Sequence, residues 1–118
     1  VQFIDESYMA IASARENFQQ IDAGCERAGF HLANGLSGIT EDSADLVLCN
    51  PPFHQSHAVG DTVALAMFNA SARVLGENGE LWVIGNRHLN YHLKLLRWFK
   101  SVDLIASNKK FVILKATM

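Results

Sequence analysis

The four residues Asn50-Pro51-Pro52-Phe53 combine groups that suit a planar amine presented for chemistry. An amide oxygen and a proline carbonyl both accept hydrogen bonds from an NH2 group, and an aromatic ring can stack on a base. Two consecutive prolines have no backbone N–H to donate, so the chain has to leave a strand ladder there. The pattern therefore indicates an amine-binding turn. The alternative is a rigid strand-to-helix turn with Phe53 packed inward.

The position of this turn in the chain supports the first interpretation. It directly follows the apolar run Ala44–Cys49, which is typical of a buried strand. In open α/β sheets, ligands bind at the carboxyl ends of the strands. The turn is thus predicted to lie at the binding edge of a sheet.

Apolar periodicity along the chain predicts the element order βαββαβαββ. Strands separated by helices indicate a largely parallel α/β sheet. The short connection Asn108–Lys110 predicts a C-terminal antiparallel hairpin, and Trp82 is expected in the core. The predicted strands are Val1–Asp5, Phe30–Asn34, Ala44–Cys49, Glu80–Gly85, Val102–Ala106 and Phe111–Ala116, and the predicted helices are Tyr8–Gln20, Thr62–Leu75 (capped by Asp61 and ended by Gly76 and Gly79) and Leu89–Phe99.

Composition limits the class of protein. With 49% apolar and 19% charged residues, the chain is typical of one globular domain or less. It has no run of about 20 apolar residues, as a membrane helix needs, and no signal-peptide pattern. Cys25 and Cys49 are far apart and outside any CxxC pair, so reduced thiols and no zinc site are expected. A cytoplasmic location without membrane or metal partners is predicted.

The charges are distributed unevenly along the chain. Residues 1–80 hold 3 Lys/Arg and 11 Asp/Glu, whereas residues 81–118 hold 7 Lys/Arg and 1 Asp. A basic C-terminal third can face phosphates. The alternative is an ordinary solvated surface charge distribution.

Several stretches resemble the S-adenosylmethionine-dependent amino-methyltransferases with a Rossmann-like fold. Within that group, the large-subunit (23S) ribosomal RNA (guanine-N2)-methyltransferases are the most similar, followed by the small-subunit enzymes. The resemblance implies a class I methyltransferase sheet, mostly parallel with a C-terminal antiparallel hairpin. It rests on Phe3-Ile4-Asp5-Glu6-Ser7, Asn50-Pro51-Pro52-Phe53-His54-Gln55, Gly79-Glu80-Leu81, Asn86-Arg87-His88-Leu89-Asn90-Tyr91 and Asn108-Lys109-Lys110-Phe111.

The resemblance also implies a segment that this chain lacks. In the family, a first strand and a glycine-rich loop precede the strand that ends in an acid, and Gly35 and Gly38 are too far apart to replace that loop. Residues 1–118 are therefore expected to be the C-terminal part of a methyltransferase catalytic domain, a fragment. Strand edges exposed by the missing strand would promote self-association.

The resemblance assigns S-adenosyl-L-methionine as cofactor and gives three residues roles in binding it. Asp5, at the end of a strand, would accept hydrogen bonds from the ribose hydroxyls, although it can also cap the following helix. Asn34 stands where the family contacts the adenine amine, often with Asp, and Leu36 would pack on the adenine. Asn50 would adjoin the bound cofactor.

On the substrate side, the resemblance gives Asn50, Pro51, Pro52 and Phe53 the catalytic role. The Asn50 amide and the Pro51 carbonyl would accept the hydrogens of guanine N2, and Phe53 would stack on the flipped-out base. RNA contacts are expected from His54, Arg87 and His88. His57 follows His54 in the same loop, and these two histidines would either touch RNA or help to remove a proton. The alternative for all four residues is an ordinary surface role.

The implied activity is methylation of guanine N2 in large-subunit ribosomal RNA. Three other targets remain open: guanine N2 in small-subunit ribosomal RNA, adenine N6, and the N5 amide of a protein glutamine. A catalytically inert fragment or binding module is the alternative from another class.

Overall fold

The computed structural model describes residues 2–5, 8–21, 29–32, 39–51 and 57–118. The chain divides into two units, Val1–Ser37 and Gly38–Met118. Each unit has its own sheet, and each is described by itself below.

The first unit is a βαβ element. Strand β1 (Gln2–Asp5) and strand β2 (Gly29–Leu32) are parallel, with Phe3 opposite Phe30, and helix α1 (Tyr8–Ile21) lies between them in sequence. Parallel neighbours need a crossover connection, which a helix of this length provides. The predicted elements are confirmed to within two residues at each described end, and Asp5 is the last residue of β1, as predicted.

The second unit is a four-stranded mixed sheet with the strand order β3-β4-β6-β5. Strands β3 and β4 are parallel, and β6 runs antiparallel to both β4 and β5. The predicted hairpin is confirmed, with its second strand inserted beside β4. The bounds are β3 (Ala44–Cys49), α2 (His57–Val74), β4 (Leu75–Asn86), α3 (Tyr91–Leu95), β5 (Ser101–Ser107) and β6 (Phe111–Thr117).

Helix α2 begins earlier than the sequence pattern predicts. It starts at His57 and not at Thr62, so Asp61 lies inside the helix and does not cap it. Gly60 suggested a loop, because glycine costs about 1 kcal/mol in a helix interior. Packing of the apolar side of α2 on the sheet outweighs that local cost.

Strand β4 is longer than predicted and contains a bulge. Ala44 pairs with Leu75, but Leu46 pairs with Glu80, so the intervening β4 residues form an irregularity in which Asn78 has a φ of 64°. Gly76 and Gly79 therefore lie within the strand and do not separate it from α2. The predicted third helix is also shorter, since a 3-10 turn (Arg87–Leu89) precedes α3.

The core lies between α2, α3 and one face of the four-stranded sheet. Because side chains alternate across a strand, Leu81 and Val83 of β4 point to the same face as their partners Ala116 and Leu114 on β6. The buried residues of this cluster are Cys49, Ala64, Phe68, Leu75, Leu81, Val83, Tyr91, Leu95, Phe99, Leu114 and Ala116.

The opposite face of the sheet carries apolar side chains outside that cluster. Leu46 and Leu48 of β3 are 53% and 76% exposed. Trp82 pairs with Leu48 and is only partly buried, with its indole Nε1 donating to Glu80 Oε1 at 3.0 Å. The core position predicted for Trp82 is wrong, because the pleat sends Leu81 and Val83, and not Trp82, toward the helices.

The outer edge of β3 bears on the predicted self-association. The described strands form two separate sheets, so direct pairing of β1 with β3 is not observed, and β3 pairs with β4 alone within them. Self-association through that edge stays a prediction. In the described ranges, no helix has the length and apolar character needed to cross a membrane.

Candidate amine-binding site at the carboxyl edge of the sheet

Strand β3 ends with a change from buried to exposed side chains. Cys49 is buried, Asn50 is exposed and Pro51 is buried again. The proline ring fixes φ and removes a donor, so the chain leaves the ladder at this point. Because Pro51 is buried, it holds the backbone that directly follows Asn50, while the Asn50 side chain remains exposed. Asn50 thus presents hydrogen-bond acceptor and donor groups to solvent at the carboxyl edge of the sheet.

Cys49 cannot act as a nucleophile at neutral pH. Burial raises the pKa of its thiol to about 12 from an ordinary value of 9.0. Only the thiolate is nucleophilic, so a thiol held protonated is inert. Cys49 is therefore a packing residue beneath Asn50.

Tyr91 forms the layer that supports this end of the sheet. Its ring meets Phe68 edge to face, with the centroids 5.1 Å apart. It also lies on Gly85 of β4, where an added Cβ would come within 2.5 Å of the Tyr91 ring. Glycine at position 85 is therefore what allows the aromatic ring to approach the strand.

The same tyrosine lies near an ion pair. Asp61 of α2 and Lys94 of α3 are 3.0 Å apart, and the Lys94 Nζ lies 5.8 Å from the Tyr91 ring centroid. Burial, and to a lesser extent the charges of Asp61 and Cys49, raise the pKa of Tyr91 to about 12. The phenol is neutral at physiological pH, and the Asp61 carboxylate is already paired with Lys94.

Two predicted substrate residues lie at the end of the neighbouring strand. Arg87 and His88 follow β4 and are both exposed. The Asn86 side chain accepts a hydrogen bond from His88 N at 3.0 Å and so caps the short turn. Since β3 and β4 are parallel, Arg87 and His88 share the sheet edge with Asn50, as predicted.

Arg87 also fastens the β5–β6 hairpin to this edge. Its backbone N–H donates to Lys110 O at 3.0 Å, and its guanidinium Nη1 donates to Asn108 O at 3.0 Å. The hairpin therefore places Lys109 and Lys110 on the same edge. The short connection Asn108–Lys110 predicted the hairpin and contributed to the family resemblance, but it gave these lysines no role at the site. Their position in the basic C-terminal third was a usable signal.

A shallow apolar hollow lies beside Asn50. It encloses about 280 Å³, and the side chains of Leu48, Trp82, Ile84 and Ile113 line it on the face opposite the helices. An apolar lining suits a ring or an aliphatic side chain and provides few hydrogen-bonding groups. The hollow is therefore a packing surface beside the amide.

Of the remaining predicted site residues, the structure describes only some. Asp5 ends β1 in the first unit. Asn34, Leu36, Pro52, Phe53 and His54 lie outside the described residues, and of His57 only the backbone position at the start of α2 is described. Within residues 2–5, 8–21, 29–32, 39–51 and 57–118, no three His, Cys, Asp or Glu side chains are grouped so that they could hold a metal ion.

Comparison with known families and proteins gives consistent results. The family model described as "Methyltransferase small domain" matches residues 1–115. Ribosomal RNA large subunit methyltransferase G of Aeromonas hydrophila is 53% identical over 98% of this chain. The protein with the same name from Pseudomonas aeruginosa strain PAO1 is 54% identical over 96% of the chain. The chain spans about 31% and 30% of the length of these relatives.

Solved structures with a similar fold include a ribosomal RNA methyltransferase. The T. thermophilus 16S rRNA N2 methyltransferase RsmC, solved in complex with AdoMet and guanosine, has a TM-score of 0.79 and 24% identity, covering 99% of this chain and 31% of that one. A Bordetella parapertussis protein described as a possible exported protein has a TM-score of 0.75 and 12% identity, covering 98% of this chain and 52% of that one. At these identities the likeness establishes the fold.

Proposed function

Since the chain belongs to the methyltransferase small domain family, we propose that it methylates the exocyclic N2 amine of a guanine in large-subunit ribosomal RNA, with S-adenosyl-L-methionine as methyl donor. The observation that carries the proposal is the exposed Asn50 amide anchored by buried Pro51 at the carboxyl edge of β3. The names of the relatives that share about half of the residues support ribosomal RNA as the substrate.

The Asn50 side chain and the Pro51 carbonyl act on the substrate amine. Both are hydrogen-bond acceptors, and guanine N2 carries two hydrogens that need partners once the base is out of its helix. Because the N2 lone pair is conjugated with the ring, the amine is a weak nucleophile. Holding both hydrogens fixes the direction of the lone pair and favours a near-attack geometry.

The residues proposed to hold the methyl donor fit its chemistry. Asp5 lies at the carboxyl end of β1, where a carboxylate suits the two ribose hydroxyls, and Asn34 and Leu36 would contact the adenine. Bound S-adenosyl-L-methionine supplies an activated methyl group on a sulfonium. The protein therefore has to orient and desolvate the amine, and it needs no covalent intermediate.

Proton removal follows from the same site. Once a methyl group is transferred to it, the substrate nitrogen would have to give up one proton. Cys49 and Tyr91 stay protonated because burial raises the pKa of each to about 12, so neither serves as a base. Asn50 and Pro51 stabilise the positive charge on nitrogen until water takes the proton.

The proposal extends to the remainder of the protein. We propose that residues 1–118 are the C-terminal part of a methyltransferase catalytic domain; the chain spans about 31% of the length of the Aeromonas hydrophila relative. Ribosomal RNA as substrate implies a cytoplasmic location. Phe53, which we propose stacks on the flipped base, and His54 complete the substrate side.

The test is transfer of a labelled methyl group by the protein at the full length of its reading frame. Unmodified large- and small-subunit ribosomal RNA are supplied separately, and the modified nucleoside is identified by mass spectrometry. N2-methylguanosine in large-subunit RNA is the expected product. The same product only in small-subunit RNA, N6-methyladenosine, or label in a protein glutamine would each replace the proposed substrate, and no transfer with bound cofactor would favour an inert module.

A further inference from the structure

The described part of the second unit has a strong charge asymmetry along its strands. Carboxylates cluster where β3 and β4 begin, whereas exposed cations cluster where these strands end. The carboxylates are Glu41, Asp42, Asp45, Glu77 and Glu80, and the group at the other edge consists of Arg87, Lys109 and Lys110 with His88 beside them. We call the latter group of four residues the basic edge.

The basic edge is not neutralised by the acid that lies near it. Asp61 lies near the start of α2, the helix that follows β3 in the chain, and it is 3.0 Å from Lys94. Its charge is therefore already balanced by a lysine outside the basic edge. Three cationic side chains grouped on one edge of the sheet favour an approaching polyanion.

Hydrogen bonds hold the backbone of the basic edge in place. Arg87 binds Lys110 O through its N–H and Asn108 O through its guanidinium. The Asn108 Oδ1 accepts from Lys110 N at 2.9 Å and from Phe111 N at 2.7 Å, which closes the hairpin turn. Four exposed side chains are thus carried on two fastened turns, so little backbone entropy is lost when they bind a ligand.

The distance of the basic edge from Asn50 suits a nucleic acid strand. Cys49 pairs with Val83, and Arg87 directly follows the last residue of β4, four residues after Val83. At about 3.3 Å per residue, Arg87 lies roughly 10 Å beyond the level of Asn50, and Lys110 lies about two strand spacings across the sheet from β3. A strand with one base at Asn50 would therefore pass its neighbouring phosphates over these cations.

We propose that the basic edge is a clamp for the RNA backbone next to the methylated nucleotide, in which Lys109 and Lys110 neutralise phosphates and Arg87 both binds phosphate and holds the hairpin. This inference rests on the proposed function. Phosphate contacts position a protein on nucleic acid without reading the sequence. The clamp thus supplies register, and the groups around Asn50 select the base.

The test measures binding of the full reading-frame protein to large-subunit ribosomal RNA fragments over a range of salt concentrations. Lys109→Gln combined with Lys110→Gln removes two positive charges from exposed side chains. The matched control, Lys100→Gln combined with Lys115→Gln, removes the same charge elsewhere: Lys100 N bonds Thr117 O where β5 starts, and Lys115 lies opposite Asp103.

The clamp variant is expected to bind roughly 10-fold more weakly at low salt, with the slope of log affinity against log salt reduced by about 0.7–0.9 for each lost phosphate contact. The control is expected to retain most of the wild-type slope. Unchanged thermal unfolding of both variants shows that the difference comes from binding. Equal affinities and slopes for the two variants would overturn the clamp.

The same proteins separate this inference from the proposed reaction. If the wild type binds RNA through Lys109 and Lys110 but forms no N2-methylguanosine, the proposed reaction fails and the clamp stands. If N2-methylguanosine forms and the clamp variant binds RNA like wild type, the reaction stands and the clamp is refuted. If the clamp variant still binds RNA like wild type but no longer binds an acidic polypeptide, the ligand of the basic edge is a protein and not RNA.

Discussion

The four-stranded sheet has one edge where β3 and β4 begin and another where they end. At both edges an arginine makes hydrogen bonds to backbone atoms of a neighbouring loop, but the charges around the two arginines are opposite in sign. At the edge where β3 and β4 begin, the Arg73 guanidinium donates to Ile39 O at 2.9 Å, and the Arg73 carbonyl accepts from Asp42 N at 3.2 Å. At the other edge, the Arg87 guanidinium donates to Asn108 O and its backbone N–H donates to Lys110 O. In both places one arginine ties a strand or helix end to a neighbouring loop.

The surroundings of the two arginines differ. Arg73 is partly buried and lies among the carboxylates where β3 and β4 begin, whereas Arg87 is exposed beside the cations of the basic edge. Bringing like charges together costs free energy unless a polyanion shares the site. We therefore infer that the edge where β3 and β4 begin is arranged for stability and that the basic edge is arranged to bind a ligand.

The largest expected effect is the loss of catalysis in Asn50→Ala. Removing one preorganised hydrogen-bonding group from a transition state typically costs about 100- to 1000-fold in kcat. Asn50 is exposed, so the free energy of unfolding should change by less than about 0.5 kcal/mol. Methyl transfer to ribosomal RNA and denaturant unfolding measure the two quantities.

Asp45→Ala is the control for this experiment. Asp45 lies on β3, the strand that precedes Asn50; it is also exposed and lies where that strand begins. Its substitution should leave methyl transfer within about two-fold of wild type, because surface substitutions away from a site have small effects. Full activity in Asn50→Ala, or an equal loss in Asp45→Ala, would remove the catalytic distinction between the edges.

The sequence was sufficient to predict the part of the site that depends on local signals. The bounds of β3 are confirmed at both ends, because an apolar run followed by two prolines leaves few alternatives. Asn50 was placed at the carboxyl edge for the same reason. The hairpin was predicted from its short turn, and its antiparallel pairing is confirmed.

The sequence was insufficient where distant residues decide the structure. Gly76 and Gly79 suggested a loop, yet they lie in β4, since the bulge between Ala44 and Leu46 in the ladder accommodates them. The contact between Arg87 and the hairpin depends on β6 inserting beside β4, and no local pattern encodes that pairing. The cofactor roles of Asp5, Asn34 and Leu36 stay predictions.

The next effect in size concerns the glycines near the two edges. In Gly85→Ala, the added Cβ would lie 2.5 Å from Tyr91 Cδ2, so the ring or the strand has to shift. Overpacking of this kind typically costs about 1–3 kcal/mol in the free energy of unfolding. In Gly76→Ala, the nearest atom to the Cβ is Asp42 O at 3.4 Å, an ordinary contact. That variant should unfold within about 1 kcal/mol of wild type.

Equal destabilisation by these two substitutions would show that Tyr91 does not pack tightly on Gly85. A second measurement separates strain from loss of the site. If the Tyr91 layer supports Asn50, Gly85→Ala should also lower methyl transfer at temperatures where the protein remains folded. Gly76→Ala should leave that activity unchanged.

A third effect is a loss of stability at alkaline pH that originates under the carboxyl edge. Burial raises the pKa of Cys49 from 9.0 to about 12. The folded-state pKa is raised, so the thiol contributes its full stability below pH 9, and that contribution is lost as pH rises toward 12. Within this window, wild type should lose about 1.4 kcal/mol per pH unit more than Cys49→Ala. Unfolding measured in both proteins at a series of pH values tests this expectation.

Below pH 9, Cys49→Ala should be the less stable protein by a constant amount, because it lacks a buried side chain. Above pH 9, the difference in the free energy of unfolding between wild type and Cys49→Ala should become smaller. A gap that stays constant up to pH 11 would mean that the thiol ionises as easily in the folded protein as in the unfolded chain. Tyr91→Phe offers an independent check, since its raised pKa places the corresponding window between 10 and 12.

The smallest effects are those of the two arginines, and they test the comparison most directly. Arg73→Gln should lower the free energy of unfolding by about 0.5–1.5 kcal/mol, because it breaks a partly buried hydrogen bond to Ile39 O. RNA affinity should stay unchanged. Arg87→Gln should cost less than about 0.5 kcal/mol, since its bond to Asn108 O is exposed. It should nevertheless reduce the slope of log RNA affinity against log salt by about 0.7–0.9, which is the contribution of one phosphate contact.

Each arginine substitution removes one positive charge and a side-chain bond to a backbone carbonyl, so the two substitutions change the same chemical groups. If both variants lose the same stability and neither changes RNA binding, the basic edge is a solvated surface and the two edges differ only in composition. If Arg73→Gln lowers stability and Arg87→Gln lowers RNA affinity, the same kind of arginine–backbone contact serves folding where β3 and β4 begin and ligand binding at the basic edge. Because the two substitutions lie at opposite ends of the sheet, their effects on stability should add in the double variant.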